Sequence, residues 1–152
     1  MVYPKFVDEQ VAFSPMPYPE DIPELTEKFD AMVVLTYEYE LYYELEELVK
    51  RGIEVLYAPI EDFTAPSLKE LLEIVKWIDK RAKGGKKVLI HCLGGSGRSG
   101  TVVTAYLMYA YRLSLKEALA KVRSLKPSAV ETEEQMKVLK ELEERLKQKI
   151  HQ

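Results

Sequence analysis

Hydrophobic and polar positions change period several times along this chain. Residues 31–36 (AMVVLT), 53–58 (IEVLYA) and 87–91 (KVLIH) are short runs rich in β-branched and apolar side chains. Such runs predict strands covered on both faces. The stretches between them are spaced for helices. Residues 40–51 predict one. Ser67-Leu68-Lys69-Glu70 is a capping box that opens another, with Leu71, Leu72, Val75 and Ile78 on one face and Gly84-Gly85 closing it. The alternation predicts an α/β fold: a central, mostly parallel sheet of four or five strands flanked by helices.

The first 20 residues concentrate Pro4, Pro15, Pro17 and Pro19 with Tyr3, Phe6, Phe13 and Tyr18. They predict short edge strands and turns packed on the body. Asp21-Ile22-Pro23-Glu24 reads as a helix start with proline inside the first turn. Everything after Arg98 is helical in pattern: residues 101–111 are apolar nearly all round, and Ser114–Glu117 is a second capping box. A last helix over 132–150 carries Met136, Leu139, Leu142, Leu146 and Ile150 on one core-facing stripe.

The 152 residues fit a single catalytic domain over 1–152, with no repeat and no linker long enough to divide it. No apolar run approaches the roughly 18 residues that span a bilayer. The N-terminus lacks a signal-peptide layout, so a soluble cytoplasmic protein is expected. A net charge of −3 disfavours nonspecific nucleic-acid binding. Asparagine is absent and 31% of residues are charged, which leans toward a heat-adapted source. One cysteine, Cys92, leaves no intrachain disulfide and no thiolate cage for a metal. It is a packed core residue, a bystander or a nucleophile.

Its neighbours decide among these. Val88-Leu89-Ile90-His91-Cys92-Leu93-Gly94-Gly95-Ser96-Gly97-Arg98-Ser99-Gly100 reads as strand, glycine-rich loop and helix start. Cys92 falls at the carboxyl end of a strand, where open α/β sheets bind ligands. The N–H groups of Leu93, Gly94, Gly95, Ser96 and Gly97 can converge into an anion nest beside the positive end of the next helix. Arg98 can close the ring with a two-pronged grip on phosphate, in a field that favours a thiolate. Ser99 can donate its hydroxyl to the sulfur, and His91 can fix the loop through hydrogen bonds. A Walker A loop is excluded, because Gly-Arg-Ser stands where Gly-Lys-Ser/Thr is required. Three glycines in five positions predict a mobile loop, with Gly95 the first site to stiffen by alanine.

His91-Cys92-x5-Arg98-Ser99 resembles the signature of the protein tyrosine phosphatase superfamily, and the short chain resembles its dual-specificity branch. The resemblance implies a phosphatase fold, phosphocysteine chemistry and no metal or organic cofactor. It also implies an aspartate on a mobile upstream loop as general acid and then base. Here that is Asp62, in Asp-x-x-x-Pro, with Glu61 as its neighbouring rival. The segment around Thr132-x-x-Gln135 resembles the one in which a glutamine positions water. The same spacing is a capping box, which would occupy that side chain. Glu131 is an alternative acid.

Phosphorylated proteins are the expected partners, with phosphotyrosine and also phosphoserine or phosphothreonine hydrolysed by a monomer that binds neither nucleic acid nor membrane. The resemblance implies basic residues within the signature loop of lipid-directed relatives; Leu93, Gly94, Gly95, Ser96 and Gly97 offer none, which disfavours highly phosphorylated inositides. Tyr37, Tyr39, Tyr42 and Tyr43 either wall the cleft or pack into the body. The competing readings are an RNA or small-molecule phosphatase of the same superfamily, and a phosphate-binding module without turnover.

Overall fold

Unbroken apolar strands need cover on both faces, and the architecture supplies it. The structure, a computed structural model, describes residues 2–150. The side chains of Lys149 and Ile150 fall outside the description, and with them the last position of the expected stripe. Among the described residues there are five strands: β1 (Lys5–Phe6), β2 (Val11–Ser14), β3 (Ala31–Val34), β4 (Glu54–Tyr57) and β5 (Val88–His91). They form one sheet in the order β1-β2-β5-β3-β4, parallel throughout except for β1, which runs antiparallel to β2.

Side chains alternate between the two faces. Val11, Phe13, Ala31, Val33, Val88 and Ile90 pack into the larger core, beneath α3 (Leu68–Lys83), α4 (Gly97–Tyr111), α5 (Leu115–Leu125) and α6 (Glu133–Ile150). Ala12, Met32, Val34 and Leu89 face the smaller one, with α1 (Ile22–Lys28) and α2 (Leu45–Lys50). Both expected capping boxes form: Ser67 accepts from the Glu70 N–H, and Ser114 from the Glu117 N–H. Gly97 to Met108 of α4 are buried throughout, so the helix needs no polar face.

Two expectations fail. The proline-rich N-terminus supplies more than an edge: β1 is the border strand, but β2 lies inside the sheet with all four residues buried. Pro15 stands just beyond β2, so every β2 N–H remains able to pair. The helix expected over 40–51 is also broken. A 3-10 turn covers Glu38–Glu40, the chain is extended at Leu41 and Glu44, and α2 begins only at Leu45. The extended stretch carries Tyr43 into the body, where its ring reaches His91.

The register fixes the functional end. Ser14 pairs with His91, His91 with Val34, and Val34 with Tyr57, so the four parallel strands finish level. The loops that follow them share one edge.

Candidate active site

Cys92 follows the last residue of β5 and is 2% exposed. Its Sγ lies 2.8 Å from the Ser99 Oγ in the first turn of α4. The strand before it is anchored by His91, whose Nδ1 is 3.2 Å from the Cys92 carbonyl and whose Nε2 is 2.6 Å from the Tyr43 hydroxyl. Burial pushes the His91 pKa down to about 4, so the ring is neutral near pH 7. Burial also raises the Tyr43 pKa, keeping its proton on. The pairing therefore assigns the His91 proton to Nδ1, donating to the carbonyl, while Tyr43 donates to Nε2. Of the four tyrosines after β3, Tyr43 packs inside, whereas Tyr37, Tyr39 and Tyr42 stay exposed, Tyr37 stacked on Tyr39 and Tyr42 on Tyr18.

From Cys92 the chain curls through Leu93 to Gly97. The Leu93 carbonyl accepts from the Met16 N–H at 2.9 Å, tying the loop to the exit of β2. Gly95 has φ +75°, and a Cβ there would meet the Pro15 nitrogen at 2.8 Å. Ser96 gives α4 no side-chain cap; its hydroxyl pairs instead with Ser128 at 2.7 Å. The first N–H groups of α4 are thus left for an anion.

Arg98 is 2% exposed and held by groups the sequence did not single out. Nη1 donates to Glu40 Oε1 at 3.0 Å and to the Ile60 carbonyl at 2.8 Å, and Nη2 donates to Glu40 Oε2 at 2.9 Å. Asp62 Oδ1 stands 3.4 Å from Nη2. Burial pushes the Glu40 carboxyl up, but the hydrogen bond and charge of Arg98 outweigh it and hold it below the usual carboxylate range. Burial likewise opposes the Arg98 charge, and the hydrogen bond to Glu40, together with the charges of Cys92, Glu40 and Asp62, more than compensates. Glu40 occupies the outer edge of the guanidinium. Nε–H, buried and without a hydrogen-bond partner, remains on the other edge.

Asp62 sits at the tip of a turn in which the Glu61 carbonyl accepts from the Thr64 N–H and hydroxyl. Glu61 is exposed and contributes that carbonyl, whereas Asp62 alone of the two pairs with Arg98. Gln135 is fully buried. Its Oε1 accepts from the N–H groups of Glu131 and Thr132, its own N–H donates to Thr132 Oγ1, and Nε2 donates to the Thr64 carbonyl at 3.2 Å. The capping-box geometry is therefore present, and it spends the carbonyl oxygen that a water would otherwise use. Glu131 and Gln135 nevertheless lie against the loop, since a Cβ on Gly97 would run into the Glu131 carboxylate and the Gln135 amide.

The contiguous signature was readable because its chemistry is local. Glu40 was not, and Tyr43 was read only as one of four tyrosines that wall the cleft or pack inside, because their partners lie 58 and 48 residues away. No spacing rule marks one glutamate in Glu38-Tyr39-Glu40.

A sulfur at a strand end, a hydroxyl on it, open helix N–H groups and a buried unpartnered guanidinium N–H together form a receptacle for a tetrahedral oxyanion. Known proteins agree. Phosphatidylglycerophosphate phosphatase PTPMT2 of Arabidopsis thaliana is 32% identical over 145 residues, spanning 89% of this chain, which itself covers 60% of the plant enzyme's length. The crystal structure of Tk-PTP in the active form superposes with a TM-score of 0.91 at 61% identity, covering 93% of this chain and 97% of that one. PTPMT1 in complex with PI(5)P superposes at 0.88 with 25% identity, covering 97% and 99%. The dual specificity phosphatase catalytic domain model matches residues 18–145, and the chain belongs to that family.

Proposed function

We propose that the chain hydrolyses phosphate monoesters of proteins, on tyrosine and also on serine or threonine, through a phosphocysteine at Cys92. The observations that carry this reading are the buried Arg98 Nε–H without an acceptor, six residues after Cys92, and the Ser99 hydroxyl 2.8 Å from the Cys92 sulfur. An orphaned buried donor is costly unless a ligand satisfies it.

In the first step the Cys92 thiolate attacks phosphorus, an S–P bond forms, and the P–O bond to the side chain breaks. Asp62 gives its proton to the departing oxygen. In the second step water attacks the same phosphorus and passes a proton to Asp62. The S–P bond breaks, and the Ser99 hydroxyl steadies the leaving thiolate. Arg98 and the loop N–H groups of residues 93–97 carry the phosphoryl charge, so the chemistry calls for no metal. On this reading the chain works as a single catalytic domain, a monomer in the cytoplasm.

A lipid monoester is the second reading, favoured by the names of PTPMT2 and of the PI(5)P complex. Against an inositide stand the five positions Leu93 to Gly97, none of them basic, and the carboxylates of Glu40, Asp62 and Glu131 around the loop. No helix among the described residues is long and apolar enough to cross a membrane. The test compares kcat/KM on phosphotyrosyl and phosphoseryl peptides with that on phosphatidylglycerophosphate in mixed micelles. Higher values on peptides support the proposal; higher values on lipid replace it with the second reading. Binding without turnover, unchanged by Cys92→Ser, would make the protein a phosphate-binding module.

A further inference from the structure

The loop over residues 58–66 carries Asp62 at its tip and is fastened on both sides of it. Before the tip, the Ile60 N–H donates to the Leu35 carbonyl at 3.0 Å, and the Ile60 carbonyl accepts from Arg98 at 2.8 Å. After it, the Thr64 carbonyl accepts from Gln135 at 3.2 Å, and the Ala65 N–H donates to Glu134 Oε2 at 2.7 Å. Glu134 and Gln135 are neighbours in the first turn of α6, where the helix dipole favours a carboxylate.

The turn has internal hydrogen bonds, from the Thr64 N–H and hydroxyl to the Glu61 carbonyl and from the Phe63 N–H to Asp62 Oδ1 at 3.0 Å, but they leave its strain in place. Phe63 is in the left-handed region with φ 65° and is 61% exposed, so it carries strain and contributes little burial to offset it. An exposed, strained turn relaxes unless outside contacts determine its shape. Of the two contacts beyond the tip, the Ala65–Glu134 bond is the shorter, and it is charge-assisted.

We infer that Glu134 is a positioning residue: its carboxylate latches the acid loop in the closed position that sets Asp62 beside Arg98, without itself touching substrate. The inference rests on the reading of Asp62 as the general acid. Gln135 is the second point of the latch, which accounts for a buried amide spent on loop contacts. The acid is then in place before substrate arrives. The latch governs protonation of the leaving group rather than capture of phosphate.

The experiment compares wild type with Glu134→Ala, Glu134→Gln, Asp62→Asn and the Glu134→Ala/Asp62→Asn double variant. The readouts are kcat and KM on phenyl phosphate, a poor leaving group, and on a nitro-substituted aryl phosphate, a good one, with thermal unfolding alongside. Glu134→Ala should lower kcat on phenyl phosphate by roughly five- to tenfold, the loss of one charge-assisted bond. On the nitro-substituted ester, kcat and KM should stay within roughly twofold. Glu134→Gln keeps an acceptor oxygen without the charge and should recover part of the rate. In the Asp62→Asn background, Glu134→Ala should cost nothing further. Wild-type behaviour of Glu134→Ala, equal losses on both esters, or the same loss in the Asp62→Asn background would overturn the latch. If Asp62→Asn leaves phenyl phosphate turnover intact, the acid assignment falls and the latch's catalytic role with it. A loss in Asp62→Asn with none in Glu134→Ala removes the latch alone.

Discussion

Gly94 and Gly95 are neighbours in the signature loop and meet different constraints. Gly95 combines φ +75° with a Cβ position 2.8 Å from the Pro15 nitrogen and 3.0 Å from the Ser14 carbonyl carbon, backbone atoms that cannot swing aside. Gly94 is outside the left-handed region, and nothing lies within 4 Å of its Cβ position. Stiffening the loop therefore belongs at Gly94, not at Gly95 as the sequence suggested. Gly94→Ala should stabilise by about 0.4–1 kcal/mol in urea unfolding. Gly95→Ala should destabilise by about 1 kcal/mol or more, and the opposite order would refute the loop geometry. His91 sets a pH dependence. Its pKa is about 4 when folded and near 6.5 when unfolded. Between those values the unfolded chain holds more protons, so stability falls as pH drops from about 6.5 to 4, by roughly 3 kcal/mol in all. Glu40, held below the usual carboxylate value by Arg98, adds a further loss in the same direction at lower pH. Unfolding free energies collected across this range should show the slope, and His91→Gln should flatten its upper part.

At the scale of elements, the segment between α5 and α6 stores strain that one side chain maintains. Val130 is β-branched and buried, yet has φ 64°. Arg123 donates Nε to the Ala129 carbonyl at 2.9 Å and Nη2 to the Val130 carbonyl at 3.1 Å, while the Val130 N–H reaches the Ser96 carbonyl at 3.2 Å. The clamp presses residues 129–130 against Gly100, where a Cβ would meet Ala129 at 3.0 Å, and so carries Glu131 to the signature loop. Arg123→Ala should cost about 1.5–3 kcal/mol in thermal or urea unfolding. Arg123→Lys should recover little, because an ammonium lacks the planar fork that serves two carbonyls. A neutral Arg123→Ala would show that the segment holds its shape unaided. None of this was legible in the sequence, where residues 126–135 offered only a capping box and a family likeness. The boxes at Ser67 and Ser114 were legible because donor and acceptor lie three residues apart. The break between Glu40 and Leu45 was not, because the groups that engage Glu40 and Tyr43, Arg98 and His91, lie far along the chain.

For the whole molecule, β3, β4 and β5 were legible as apolar runs and β2 was not. Its four residues lie between an Asp8 turn and Pro15 in a stretch whose prolines suggested a border, and only the sheet order shows that it supports the loop through Met16. The site has the same division. Its reactive core is one contiguous motif, whereas its control comes from four other places: the β2 exit, the turn after β3, the loop after β4 and the start of α6. The first three meet the motif because the four parallel strands finish in a common row, a property of the register and not of any segment, and the start of α6 joins them through the segment that Arg123 clamps. The central claim is that the phosphoryl group passes through the Cys92 sulfur. Rapid acid quench during turnover of an aryl phosphate, followed by mass spectrometry of the peptide containing Cys92, tests it most directly. A phosphoryl adduct on Cys92 that forms within one turnover, and is lost together with activity in Cys92→Ser, is the expected result; undiminished hydrolysis by Cys92→Ser with no adduct at any quench time would contradict it.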